Sequence, residues 1–102
     1  MIVSQARLLH VTFSQPPSMA LTELEKLFNQ TGDWMRYAIN AWVVYTTGDA
    51  MMLASQIRGL SGMQAANIIV SEMSIHYSGY LPKWAWEWLA QRTPPGGIKP
   101  TF

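Results

Sequence analysis

No cysteine occurs in the 102 residues, so disulfides and thiolate-ligated metals are excluded, and a reducing compartment such as the cytoplasm suits the chain. Charge is also scarce: 13 % of residues are charged and the net charge is +1. Arg7, Lys26, Arg36, Arg58, Lys83, Arg92 and Lys99 are dispersed along the chain. That is not the footprint of a protein held to nucleic acid mainly through phosphates. No apolar run is long enough to cross a bilayer, and Met1 to Phe13 mixes Ser4, Gln5, Arg7 and His10 among apolar residues, unlike a signal peptide. No serine stands in a Gly-x-Ser-x-Gly turn, and Gly59-Leu60-Ser61-Gly62 lacks the lysine and spacing of a phosphate loop. The expectation is a cytoplasmic protein with no cofactor, no metal and no membrane partner.

What the chain does hold is apolar and aromatic surface, with 49 % hydrophobic residues and five tryptophans. A length of 102 residues suits one domain. We assign residues 1–92 to it and 93–102 to a flexible tail rich in proline and glycine. Arg7 to Phe13 alternates Leu9, Val11 and Phe13 against Leu8, His10 and Thr12, the period of a strand. Ser18 can cap a helix with Ala20, Leu24, Leu27 and Phe28 on one stripe, ending at Gly32. Two aromatic, β-branched runs, 34–39 and 42–47, read as a hairpin turning at Asn40-Ala41, with Ile39 opposite Trp42 and Tyr37 opposite Val44. Asp49 can cap a second helix carrying Ala50, Leu53, Ile57 and Leu60, stopped by Gly62. Asn67 to Ser74 reads as a strand, followed by a loop from His76 to Gly79.

Trp84, Trp86 and Trp88 then sit at alternate positions within Leu81–Leu89. Pro82 suits a first helical turn and is disfavoured inside a strand, so the segment reads as a helix. On a helix, Trp84 and Trp88 lie one turn apart and Trp86 points elsewhere. The expectation is therefore a Trp84/Trp88 pair packed on the domain and a surplus Trp86 at a subunit or partner contact, with Trp84 bordering that contact and Ile98 and Phe102 of the tail as further anchors. The whole is α+β: a ferredoxin-like βαββαβ order with an appended Trp-rich helix and a flexible tail. Its two central helices would cover one sheet face and leave the other to water, a ligand or a second copy.

The hairpin from Gly32-Asp33-Trp34-Met35-Arg36-Tyr37 to Ala41-Trp42-Val43-Val44, with Ile69-Val70-Ser71-Glu72 and Leu81-Pro82-Lys83-Trp84-Ala85-Trp86-Glu87-Trp88-Leu89, resembles small bacterial and phage proteins of the SinR type. Those look related in fold to the ferredoxin-like subunit of CRISPR adaptation and to VapD-like toxins. The resemblance spans about Leu8 to Ala90 and implies a ferredoxin-like homodimer without a settled activity. The nuclease relatives carry an aspartate at the end of the first strand, where this chain has Thr12. A hydroxyl is a poor ligand for a hard divalent cation in place of a carboxylate.

His10 and Tyr37 are weak candidates for ligand or nucleic-acid binding on the open sheet face, with Arg36, which could clamp a phosphate between Trp34 and Tyr37. The commoner reading makes His10 a half-buried structural histidine and Arg36 a solvated strand residue. His76, beside Tyr77 and Tyr80, could join a polar pocket at the end of the last strand; no spacing supports a His10–His76 metal pair. Among the carboxylates only Asp33 and Glu72 lack an obvious capping or helix-surface role. These features point to a small, self-associating, non-catalytic binding or accessory protein, linked to nucleic acid, nucleotides or defence systems. The alternatives are a divalent-metal nuclease and an antagonist of another protein complex.

Overall fold

The computed structural model describes residues 6–14, 21–60, 63, 66–74 and 77–92. Along the chain run β1 (Arg7–Phe13), α1 (Leu21–Thr31), β2 (Gly32–Ala38), β3 (Ala41–Thr46), α2 (Ala50–Arg58), β4 (Ile68–Glu72) and α3 (Lys83–Arg92). The four strands form one antiparallel sheet in the order β2-β3-β1-β4. The proposed cap Ser18, Ala20 of the first helix stripe, the stop at Gly62, His76 and the tail with Ile98 and Phe102 lie outside the described residues.

The alternation in β1 divides the molecule into layers. Leu9, Val11 and Phe13 enter a core with Trp42 and Val44 of β3, Leu24 and Phe28 of α1, and Leu53 and Ile57 of α2. Leu24 and Phe28 stand four residues apart, so they share the inner face of α1. Burying each such side chain contributes about 1.5–3 kcal/mol. Asp49 caps α2 as its position suggests: its carboxylate accepts the Met52 N–H at 2.7 Å. The helix stops at Arg58, with Gly59 rather than Gly62 at its end, and the Gly59 N–H donates back to the Ser55 carbonyl at 3.1 Å. Thr46 is buried, yet its hydroxyl donates to the Thr31 carbonyl at 3.0 Å and accepts the Gly48 N–H at 3.1 Å. It thus ties the end of α1 to the end of β3. Gly32 opens β2 against the Tyr45 carbonyl oxygen, so closely that a Cβ there would collide with it.

The hairpin differs from expectation. It turns at Ile39-Asn40, pairs Ala38 with Ala41, and then skips a residue, so that Arg36 faces Trp42 and Trp34 faces Val44. The irregularity between Arg36 and Ala38 is a bulge, which lets one extra residue onto β2 and turns the following side chains over. Tyr37 consequently leaves the Trp42 side and joins the opposite face.

That opposite face is covered by the third helix. Leu8, Met35 and Val43 pack against Ala85, Trp86 and Leu89 of α3. The expected roles of Trp86 and Trp84 in packing are exchanged: Trp86 is 5 % exposed and belongs to the core, Trp84 is 51 % exposed, and Trp88 packs half-buried against the cluster as expected. The reason lies in the helix stripe. Leu81, Ala85 and Leu89 recur every four residues and define the inner face, with the small Ala85 allowing close approach. Either flank of that stripe carries indoles. The sheet accepts Trp86, which meets Tyr77 at 6.3 Å between ring centroids. Arg92 holds the other flank at the margin: its guanidinium lies 4.1 Å over the Trp88 ring, donates to the Trp88 carbonyl, and pairs with Asp33 of β2. No helix among the described residues is long and apolar enough to cross a membrane.

Trp86→Ala should lower folding stability by about 3–5 kcal/mol in urea titrations, the range for a buried tryptophan. Trp84→Ala should stay within about 0.5 kcal/mol of the parent, as for an exposed position. The reverse ranking would mean that α3 docks on its other flank.

Candidate functional site

His10 lies on β1 facing α3, between Val43 of β3 on one side and Ser71 of β4 on the other. Tyr37 stands on β2, with β3 between the two strands. The side chains reach each other across β3: His10 Nε2 and the Tyr37 hydroxyl share a short hydrogen bond, and their rings lie 5.6 Å apart at 18°. The hairpin register makes this pairing available: Met35 lies opposite Val43 on the α3 side, and Tyr37, two residues on, shares that face. In an unbulged hairpin with Tyr37 opposite Val44, the phenol would have pointed into the helix-covered core instead.

Both groups are partly withdrawn from water. Burial pushes the His10 imidazole below its ordinary pKa and the Tyr37 phenol above its own. Desolvation penalises a charged form in each case, so near neutral pH the pair is uncharged. With Nε2 unprotonated, His10 accepts the Tyr37 O–H and keeps Nδ1–H to donate; in the other tautomer Nε2–H donates to the phenol oxygen.

Beside the pair opens a cleft of about 300 Å³. The loop before α3 supplies Tyr77, Ser78 and Tyr80, α3 supplies Trp86, and Ser71 closes the β4 side. No Asp, Glu, Lys or Arg is among the described residues that line it. Gly79 sits in this loop at a φ of 157°, where a larger residue would be strained, although nothing crowds the position. Tyr80 is fully exposed at the mouth.

The other sequence candidates fall elsewhere. Arg36 is on the opposite sheet face, its guanidinium 4.7 Å over the Trp42 ring and donating to the Ile39 carbonyl at 2.5 Å. It does not join His10 and Tyr37, because the hairpin register sets it across from Trp42. Trp86 is a wall of the cleft, whereas Trp84 faces outward. Asp33 is paired with Arg92 and Glu72 with Arg7 at 3.4 Å, on opposite edges of the sheet, so the two carboxylates do not converge. Thr12 faces the same side as His10, between Ala41 and Ile69. No three residues of the types that ligate metals cluster among the described residues. Ser71 and Met35, which complete the cleft, were not among the sequence candidates, whereas Met73, whose flexible thioether suits an adaptable surface, does line it. One signal was available: His10 and Ser71 are polar residues on strands whose neighbours are largely apolar.

The lowered pKa of His10 has a consequence for stability. Above about pH 6.5 the imidazole is neutral whether the chain is folded or unfolded. As pH falls below that value the unfolded chain takes up the proton first, and stability declines until the folded pKa is passed. Urea midpoints measured from pH 8 to pH 5 should decrease over that window, and His10→Gln should flatten the decrease. An undiminished slope in His10→Gln would assign the titration to another group.

Compared with known protein families, with curated proteins and with solved structures, this chain matched none.

Proposed function

We propose that this chain is a small, self-associating, non-catalytic binding or accessory protein of ferredoxin-like fold, linked to nucleic acid, nucleotides or defence systems. The fold reading is supported by the βαββαβ order of elements and by a fourth-first-third-second strand sequence across the sheet. The binding reading rests on one observation: an uncharged, aromatic-walled cleft with a hydrogen-bonded His10–Tyr37 pair beside it. Concave, mostly apolar sites with a few convergent polar groups are where small molecules bind. The nuclease alternative is disfavoured by the ion pairs that occupy Asp33 and Glu72 at separate edges, since metal-assisted cleavage needs carboxylates brought together.

Self-association is supported by the apolar surface that remains outside. Trp84 on α3 and Tyr80 before it are exposed, as are Ile39 and Ile69. An exposed indole is a favoured anchor for a second copy.

Two measurements test this reading. A fragment library screened by NMR should perturb the aromatic resonances of Tyr77, Tyr80 and Trp86, and Ser71→Phe, which fills the cleft from its rim, should remove those perturbations. Hits that ignore Ser71→Phe would move binding away from the cleft. Light scattering should give a mass above the 11.5 kDa of one chain, reduced toward it by Trp84→Ala. A monomer at micromolar concentration would end the self-association proposal.

A further inference from the structure

We infer that the cleft takes an uncharged planar heteroaromatic ring, of the class of a nucleobase or nucleoside, whose polar edge meets His10, Tyr37 and Ser71. The inference rests on the cleft being the binding site and specifies what enters it.

Charge is the first constraint. A phosphate, carboxylate or ammonium group drawn into this space would lose hydration and find no counter-charge among the described lining residues. An uncompensated buried ion is strongly disfavoured. The ligand's buried part is therefore neutral.

Shape is the second. Aromatic rings make up much of the lining: His10, Tyr37, Tyr77, Tyr80 and Trp86 all border the cleft, with His10 stacked on Tyr37 and Tyr77 tilted against Trp86. Aromatic faces favour a flat π-system over an aliphatic chain of equal area. Met35 and Met73 line the remaining space, and their flexible thioethers adapt to a ring of either size. About 300 Å³ is at the lower end of small-molecule sites and suits one ring system with its substituents.

Polarity is the third. His10 and Ser71 are lateral neighbours on adjacent strands, and Tyr37 meets His10. Neutral imidazole supplies one donor and one acceptor, and the two hydroxyls can each act as either. The three groups sit on the sheet side of an otherwise largely apolar cavity. They match an edge on which ring nitrogens, carbonyls and amino groups alternate. A ligand without such an edge would shield these groups from water and leave them unpaired, which is how polar sites reject apolar analogues. The same edge could be presented by a free nucleoside or by an unstacked base in a single strand.

Calorimetry and aromatic NMR with adenosine, guanosine, cytidine and uridine, their 5′-monophosphates, short single-stranded oligonucleotides, and cyclohexanol as a non-aromatic ring decide the matter. At least one nucleoside should bind saturably, its monophosphate no more tightly, and cyclohexanol not detectably. Tyr37→Phe and His10→Phe should each weaken binding about 3–10-fold, the loss expected for one neutral hydrogen bond, with circular dichroism unchanged. Ser71→Ala, a milder change, should weaken it in the same direction. Tighter binding of an oligonucleotide than of its nucleoside would assign the base to a strand, and the reverse to a free molecule; both retain the class. Preference for the phosphorylated forms, equal binding of cyclohexanol, or indifference to both His10→Phe and Tyr37→Phe would overturn it. If such binding still vanished in Ser71→Phe, the cleft would stand as a site and only the ligand class would fall. If no nucleoside bound while other fragments did so in a Ser71→Phe-sensitive manner, the outcome would be the same.

Discussion

Strand β3 is apolar on both sides, and the rest of the molecule follows from that. Ala41, Trp42, Val43 and Val44 are all buried, a continuous run of the kind found in strands covered on both faces. Trp42 and Val44 are satisfied by α1 and α2. Val43, with Leu8 and Met35 beside it, needs a second cover, and α3 supplies it. Without that helix the sheet would present an apolar face to water, at roughly 25 cal/mol for every Å² left exposed.

The cover is incomplete in a specific way. Met35, Val43, Trp86 and Leu89 lie at the apolar side of the cleft, where α3 meets the sheet, while His10, Ser71 and Tyr37 edge it on the sheet side. Farther along the same face Ile69 stays exposed. A cleft forms where the helix-covered part of the face gives way to the polar part. The ion pair of Arg92 with Asp33 of β2 ties the end of α3 to the sheet edge, and the Arg92 guanidinium also covers Trp88 of its own helix. Asp33, which in sequence lacked an obvious capping or helix-surface role, is the sheet partner of Arg92 on α3.

Period-two alternation in β1, the Leu24/Phe28 stripe and the Asp49 cap were all legible, because each depends on residues a few positions apart. Three things were not. The hairpin register depended on a bulge at Tyr37, and no local preference distinguishes Asn40-Ala41 from Ile39-Asn40 strongly enough to reveal it. The phase of α3 depended on which flank of the Leu81/Ala85/Leu89 stripe the sheet would accept, a long-range question that helical spacing leaves open. Arg36 was misplaced for the first of these reasons. His10 and Tyr37 were both suspected, yet their meeting was invisible: they are 27 residues apart, and an even register offset rather than an odd one decides whether they share a face.

The mutual hydrogen bond of His10 and Tyr37 limits what the cleft can do. Because each already satisfies the other, few of the pair's partly buried polar positions are left unpaired. An incoming ring must use the capacity left over, the second imidazole nitrogen and the remaining phenol lone pair, or displace the pair's own bond. Either way its polar contacts replace existing ones, so their net gain is small, and affinity has to come mainly from stacking area. The polar pair then acts chiefly through exclusion, since a ligand unable to engage it shields those leftover positions from water and is penalised. Selectivity and affinity are thus assigned to different parts of one cleft: the sheet side discriminates, and the aromatic roof on α3 and its preceding loop holds.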